Sequence, residues 1–321
     1  MKKIICSFMI LVSGLAFSQT ILNATSPEEF RKLREENKQM VGDSVVSTKI
    51  EPLKYGYIDE KDILKSMVVW EIIDLNDRIN QPFYQNSDGL VSQNKSLFQI
   101  LYDAIIEGKI TEVYDDEMFQ TKLEPEAIKN RVRFESLSDA GVEKINEQGA
   151  PLSDEQKREY TDIYEVKSDN VKLIKIKGMW YIDKRDSQMK YRLLGIAAMG
   201  QDPSAMGQVG PDGMPIAQDD TYIDLFWIFY PNAREVLANS IVFNNRNLSS
   251  NISFDDILNA RRFSSVIYKS GSGQGSGVIS DYIPNDADEQ LEESERIKDQ
   301  ILQMEKLPRS EERRVGKECR S

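Results

Sequence analysis

The chain has 321 residues, with 41 Lys and Arg against 53 Asp and Glu, a formal charge of -12, no histidine and two cysteines. Without histidine there is no Ser/His/Asp or Cys/His triad, no His-ligated zinc or iron, and no imidazole to move protons near neutral pH. Cys6 and Cys319 stand at opposite ends, which removes a CxxC redox pair, a zinc ribbon and an iron–sulfur cluster, and the acidic balance speaks against a nucleic-acid surface.

In chain order, residues 1–18 open with Lys2 and Lys3, continue through the apolar run Ile4 to Val12 and close on Ala16-Phe17-Ser18. That is the order of a secretory signal peptide cleaved after Ser18. Cys6 lies inside the apolar run, so it is misplaced for an acylated lipoprotein cysteine. At the other end, residues 309–321 resemble the translation of a DNA-sequencing adapter, an artefact to be set aside. Between them 34 basic and 50 acidic residues remain, a net charge of -16 with no cysteine. An exported protein without disulfides is held by its core alone.

Residues 19–52 form a polar extension, in which Ser26-Pro27-Glu28-Glu29-Phe30 starts a short helix through Met40. Phe30 and Leu33 are the apolar residues it offers to a partner, and Asp43-Ser44-Val45 matches an O-glycosylation acceptor at Ser44. The core, residues 53–270, opens with a helix expected over Glu60 to Ile79, capped by Asp59 and stopped by Pro82. Its apolar positions Ile63, Leu64, Met67, Val68, Ile72 and Leu75 run near a 3.6 period. A second helix is expected from Ser96 to Glu107, and further helix starts at Pro125 and Ser153. The period then falls to two: strands are expected over Tyr160 to Val166, Val171 to Lys177, Trp180 to Lys184 and Lys190 to Ala198, with turns at Gly178 and Arg185-Asp186-Ser187. A long loop covers 200–220. A strand over Tyr222 to Tyr230, a helix from Pro231 through Asn239, another capped by Ser253 and a strand over Phe263 to Lys269 complete an α+β core, mainly antiparallel sheet packed with helices. Residues 271–308 read as a Gly/Ser linker and an acidic helical tail over 286–307, whose apolar stripe Ile297, Ile301 and Met304 looks free to bind a partner.

Chemistry is sparse. The alternation of Gly271, Gly273, Gly275 and Gly277 lacks the third glycine of a dinucleotide fingerprint, since Ser276 stands there, and a flexible linker is the better reading. Asp115-Asp116-Glu117 and Asp286-Ala287-Asp288-Glu289 read as solvated acidic faces; the second has Leu291 and Ile297 where an EF-hand needs Gly and Glu. No catalytic, cofactor-binding or metal-ligating residue is assigned. Trp70, Trp180 and Trp227 read as core, with a carbohydrate platform as the competing possibility.

The resemblance is broader than any motif. Tyr57-Ile58, Ser66-Met67-Val68-Val69-Trp70-Glu71-Ile72-Ile73-Asp74-Leu75, Lys95-Ser96-Leu97-Phe98, Ile163-Tyr164 and Ile174-Lys175-Ile176-Lys177 occur in the order seen in the GldN/PorN family of gliding-motility and type IX secretion proteins. Gly178-Met179-Trp180-Tyr181-Ile182-Asp183-Lys184-Arg185 and Leu225-Phe226-Trp227-Ile228-Phe229-Tyr230-Pro231 extend the likeness. The resemblance implies a non-enzymatic periplasmic subunit, at the inner face of the outer membrane. It further implies self-association in a ring with a GldK/PorK-like lipoprotein and contact with the periplasmic part of a GldM/PorM-like inner-membrane motor. Membrane association is then indirect, and no cofactor or nucleic acid is involved. The alternative is an exported carbohydrate-binding or carbohydrate-hydrolysing protein that uses paired carboxylates.

Overall fold

The computed structural model describes residues 52–84, 95–149, 151–206, 222–242, 252–272 and 275–318. Contacts divide the chain at Ile50/Glu51, and every described element lies in the second unit, Glu51–Ser321.

The centre is an antiparallel sheet built from β1 (Ile63–Asp74), β2 (Val113–Tyr114), β5 (Val171–Asp183), β6 (Gln188–Gln201), β7 (Tyr222–Phe229), β10 (Val266–Ser272) and β11 (Gly275–Val278). Their order is β11-β10-β1-β5-β6-β7-β2. β3 (Arg133–Leu137) pairs with β4 (Thr161–Glu165), and β8 (Ile241–Val242) with β9 (Ile252–Ser253). The α+β architecture expected from the sequence is therefore the one observed.

The first expected helix is instead the 12-residue strand β1, preceded by a 3-10 turn at Glu60–Asp62 whose N-cap is Asp59. Val68, Val69, Ile72 and Ile73 are β-branched and sit in a strand flanked on both sides, by β10 and β5. A strand with apolar residues on both faces reads as a continuous apolar run, and its chance matches to a 3.6 period imitated a helix. Gly178 likewise is no turn: Val171–Asp183 is one strand, with an irregularity in its pairing to β6 between Lys177 and Gly178. A Cβ on Gly178 would fall 2.0 Å from the Tyr191 hydroxyl, so the glycine leaves room for that ring. Residues 271–272 and 275–277, within the stretch expected as linker, belong to the paired strands β10 and β11, with Gly271 opposite Ser276.

Alternation along the strands assigns two faces. Ile73, Ile174, Ile176, Ile196, Ala198, Phe226 and Ile228 form one, fully buried. It is covered by α2 (Leu97–Ile106), α6 (Tyr230–Ala238) and α7 (Phe254–Asn259), whose Leu97, Leu101, Tyr230, Leu237, Phe254 and Leu258 enter the same cluster. The other helices are α1 (Gln81–Tyr84), α3 (Pro125–Val132), α4 (Asp139–Gln148), α5 (Asp154–Glu159), α8 (Ile279–Tyr282) and α9 (Ala287–Glu318). The expected starts hold: Ser96 caps α2, Ser153 makes a capping box with Gln156, and Ser253 makes one with Asp256.

α9 is not a detached tail. Ile297, Ile301 and Met304 are 3%, 5% and 2% exposed, and the first two pack with Val69, Ile267 and Ile279. Ser294, fully buried, accepts a hydrogen bond from Ile267 N–H at 2.9 Å, and Lys298 donates to Ser265 O at 3.0 Å. The first contact satisfies a backbone donor beside the shift in register between Trp70 and Glu71.

Candidate interaction surface

Buried charge on the helix-covered face is tied in pairs. Glu71, 1% exposed, projects from β1 between the two apolar clusters and receives both terminal nitrogens of Arg261 at 2.9 and 2.7 Å, with Ser265 Oγ beside them. The Arg261 guanidinium also lies over the rings of Tyr191, Trp180 and Phe263. Asp255, from the first turn of α7, takes Arg234 of α6 at 3.0 and 2.9 Å and the Tyr230 hydroxyl at 2.7 Å. Burial, followed by the Asp255 charge, pushes the Tyr230 phenol up, so it stays a donor. The same Arg234 stacks at 4.1 Å on Tyr55, which Arg192 covers at 5.0 Å. Tyr55 donates to Asn259, Arg192 donates to Gly56 O at 2.7 Å and Arg185 to Tyr57 O at 3.0 Å. The strap 55–57 is thereby strung across the body by arginines.

The opposite face is different. Across the strands run Lys269, Trp70, Lys177, Gly195 and Phe229, and beside them Lys175, Ala197, Trp227 and Tyr114. Lys177 and Lys269 flank the same indole, their ammonium groups 5.0 and 4.7 Å from the Trp70 ring centre. Lys175 pairs with Asp224 at 2.7 Å and lies over Tyr268.

Over this face folds the loop after β2, residues 115–121. Asp116 accepts the backbone N–H groups of Met118, Gln120 and Thr121, and these bonds, Thr121 first, hold its carboxyl below the usual range. Arg131 anchors Asp115 at 2.6 Å. Glu117 pairs with Lys269 and takes the Tyr268 hydroxyl at 3.4 Å, while its carbonyl receives Lys177 Nζ at 2.9 Å. Phe119 adopts a left-handed φ of 59°, a strained setting for an aromatic residue, and places its ring against Tyr114, Trp227 and Phe229. A Cβ on Gly195 would lie 2.5 Å from Phe119 Cζ, so the ring lies over bare backbone. Lys177 is 9% exposed, and burial lowers its pKa, with the nearby Glu117 charge opposing.

Phe30, Leu33 and Ser44 lie outside the described residues. Ile297 and Ile301, expected as partner contacts, are occupied by the chain's own sheet, so they cannot face a partner while α9 is docked. Trp70 and Trp227, at 3% and 1% exposure, cannot serve as a sugar platform, and Trp180 packs against Tyr191 at 4.8 Å. Asp115-Asp116-Glu117, read as a solvated cluster, is the tether of the loop. The sequence signals the lysines at 175, 177 and 269 only as charged residues within otherwise apolar strands. Among the described residues no group of three acidic, Cys or His side chains could hold a metal ion, and no helix is long and apolar enough to cross a membrane.

A family model described as gliding motility associated protein GldN matches residues 58–307, which takes in the whole sheet and the packed turns of α9. The chain belongs to that family. Among curated proteins no match is found.

Proposed function

We infer that the chain is a non-enzymatic periplasmic subunit of the type IX secretion and gliding machinery. It assembles in a ring with a GldK/PorK-like outer-membrane lipoprotein and meets the periplasmic part of a GldM/PorM-like motor. The family match over 58–307 carries this reading. The site chemistry supports it: the most buried carboxylates among the described residues, Glu71, Asp183 and Asp255, are each held by a guanidinium and serve the fold. Glycoside hydrolysis needs a free acid and a free base or nucleophile facing a cleft, and the tryptophans that motivated that alternative are packed away.

The reading is tested by purifying a tagged copy from the native envelope. A lipoprotein should co-purify with it in ring-sized particles, and carbonate washing after removal of that partner should release it from the membrane fraction. Deleting the chain should abolish export of type IX cargo. A monomer that leaves the envelope alone and cleaves glycans, with a bell-shaped pH profile set by two carboxylates, would overturn the assignment.

A further inference from the structure

The geometry points to a carboxylate-binding box on the loop-covered face, closed in this state by the chain's own Glu117 acting as an internal ligand. A partner's acidic side chain takes its place when the loop 115–121 lifts. The box consists of Lys269, Lys177, Tyr268 and the Trp70 indole. Its chemistry is specific: Lys269 and the Tyr268 phenol meet the Glu117 carboxylate, and Lys177, beside the same Trp70 ring, donates to the Glu117 carbonyl. Trp70 Nε1 is buried and meets no hydrogen-bond acceptor, so the box holds one donor more than Glu117 satisfies.

Three features make the cover removable. Glu117 reaches the sheet by side-chain contacts and one carbonyl, with no ladder of backbone bonds joining its loop to β1, β5 or β10. Phe119 meets the sheet by its ring alone, edge-on to Trp227 and Phe229, a contact that parts without breaking a hydrogen bond. Asp116 pre-forms the loop through its own backbone N–H groups, so the loop can move as a unit. A box that must shed an internal ligand binds an external one with its dissociation constant divided by the fraction of molecules that are open, and removing the internal ligand recovers that factor. The occupant is thus an acidic segment of another protein. The inference goes beyond the assembly proposed above and does not depend on it.

The test uses the full mature chain and a fluorescein-labelled hexaglutamate peptide at low ionic strength, read by fluorescence anisotropy, with hexaglutamine as control. Glu117→Gln should bind hexaglutamate about tenfold more tightly than the natural chain. Gly195→Ala, which displaces Phe119 while keeping Glu117, should also tighten binding, so the outcome does not hang on one variant. Adding Lys177→Met and Lys269→Met to Glu117→Gln should abolish it. Equal affinity of the natural chain and both single variants overturns the proposal. So does binding that survives loss of the two lysines, or that hexaglutamine matches.

Discussion

On one face of the sheet Ile73, Ile174, Ile176 and Ile196 meet the helices through aliphatic contacts, and charge is buried as the Glu71–Arg261 and Arg234–Asp255 pairs. On the other, Lys269, Trp70, Lys177 and Trp227 are covered by a loop whose hold is a carboxylate, a carbonyl and one phenyl ring. The first face is closed by hydrophobic area, at roughly 25 cal/mol per Å² buried. The second rests on cation–π and ionic contacts, which salt and pH reach. A subunit that must hold its shape and also offer a responsive surface can divide those tasks between the two faces.

The sharpest way to break the comparison is to remove a charge from the helix-covered face. Asp255→Ala leaves Arg234 and the Tyr230 hydroxyl buried with no acceptor, and the expected loss is about 3–5 kcal/mol. Urea unfolding of the mature chain checks this. Replacing the pair by apolar residues, as in Arg234→Met with Asp255→Leu, should recover most of the loss. If the single variant costs no more than an exposed ion pair, under about 1 kcal/mol, the two faces do not differ in kind.

The two strand glycines give a finer comparison. Alanine at 178 drives a Cβ into the Tyr191 ring, which is packed against Trp180 and under Arg261. Alanine at 195 meets the Phe119 ring, which a loop can carry away. Overpacking of this sort costs roughly 1–3 kcal/mol. Gly178→Ala should fall at the upper end and Gly195→Ala at the lower, measured by the same unfolding midpoints. The reverse order would mean that the loop is the more rigid cover.

The residues themselves explain what could be read beforehand. Strong local punctuation transferred: Ser96, Ser153 and Ser253 cap where expected, because a capping hydroxyl and the N–H it accepts are three residues apart. Long-range partnership did not. β1 imitates a helix because its neighbours β5 and β10 lie far downstream in sequence, and only they make both of its faces internal. The stripe of α9 looked unpartnered because Val69 is far away in sequence. The lysine–tryptophan rows depend on register across the sheet from β10 to β2, which no local pattern reports. Asp116 and Glu117 were visible as acidic residues; that one caps a loop and the other plugs a box is tertiary information.

The smallest effect, and the most specific to the loop-covered face, concerns Lys177. Burial holds its folded pKa below the unfolded 10.5. Between those two values the unfolded chain binds more protons than the folded one, so this group adds stability as pH rises through that window. Below both values the two states are protonated alike and the cost of burying the ammonium is present in full. Tyr191, Tyr230 and Tyr268 act in the opposite sense, since burial raises their folded pKa and their contribution is lost as pH rises past the folded value. The raw alkaline profile therefore mixes the two signs, and Lys177→Met separates them. The stability of the natural chain, less that of Lys177→Met, should shift towards the natural chain as pH rises towards 10.5, read as urea midpoints. Parallel profiles would show that the ammonium is as well solvated in the folded chain as in the unfolded one, and that the loop does not seal the face.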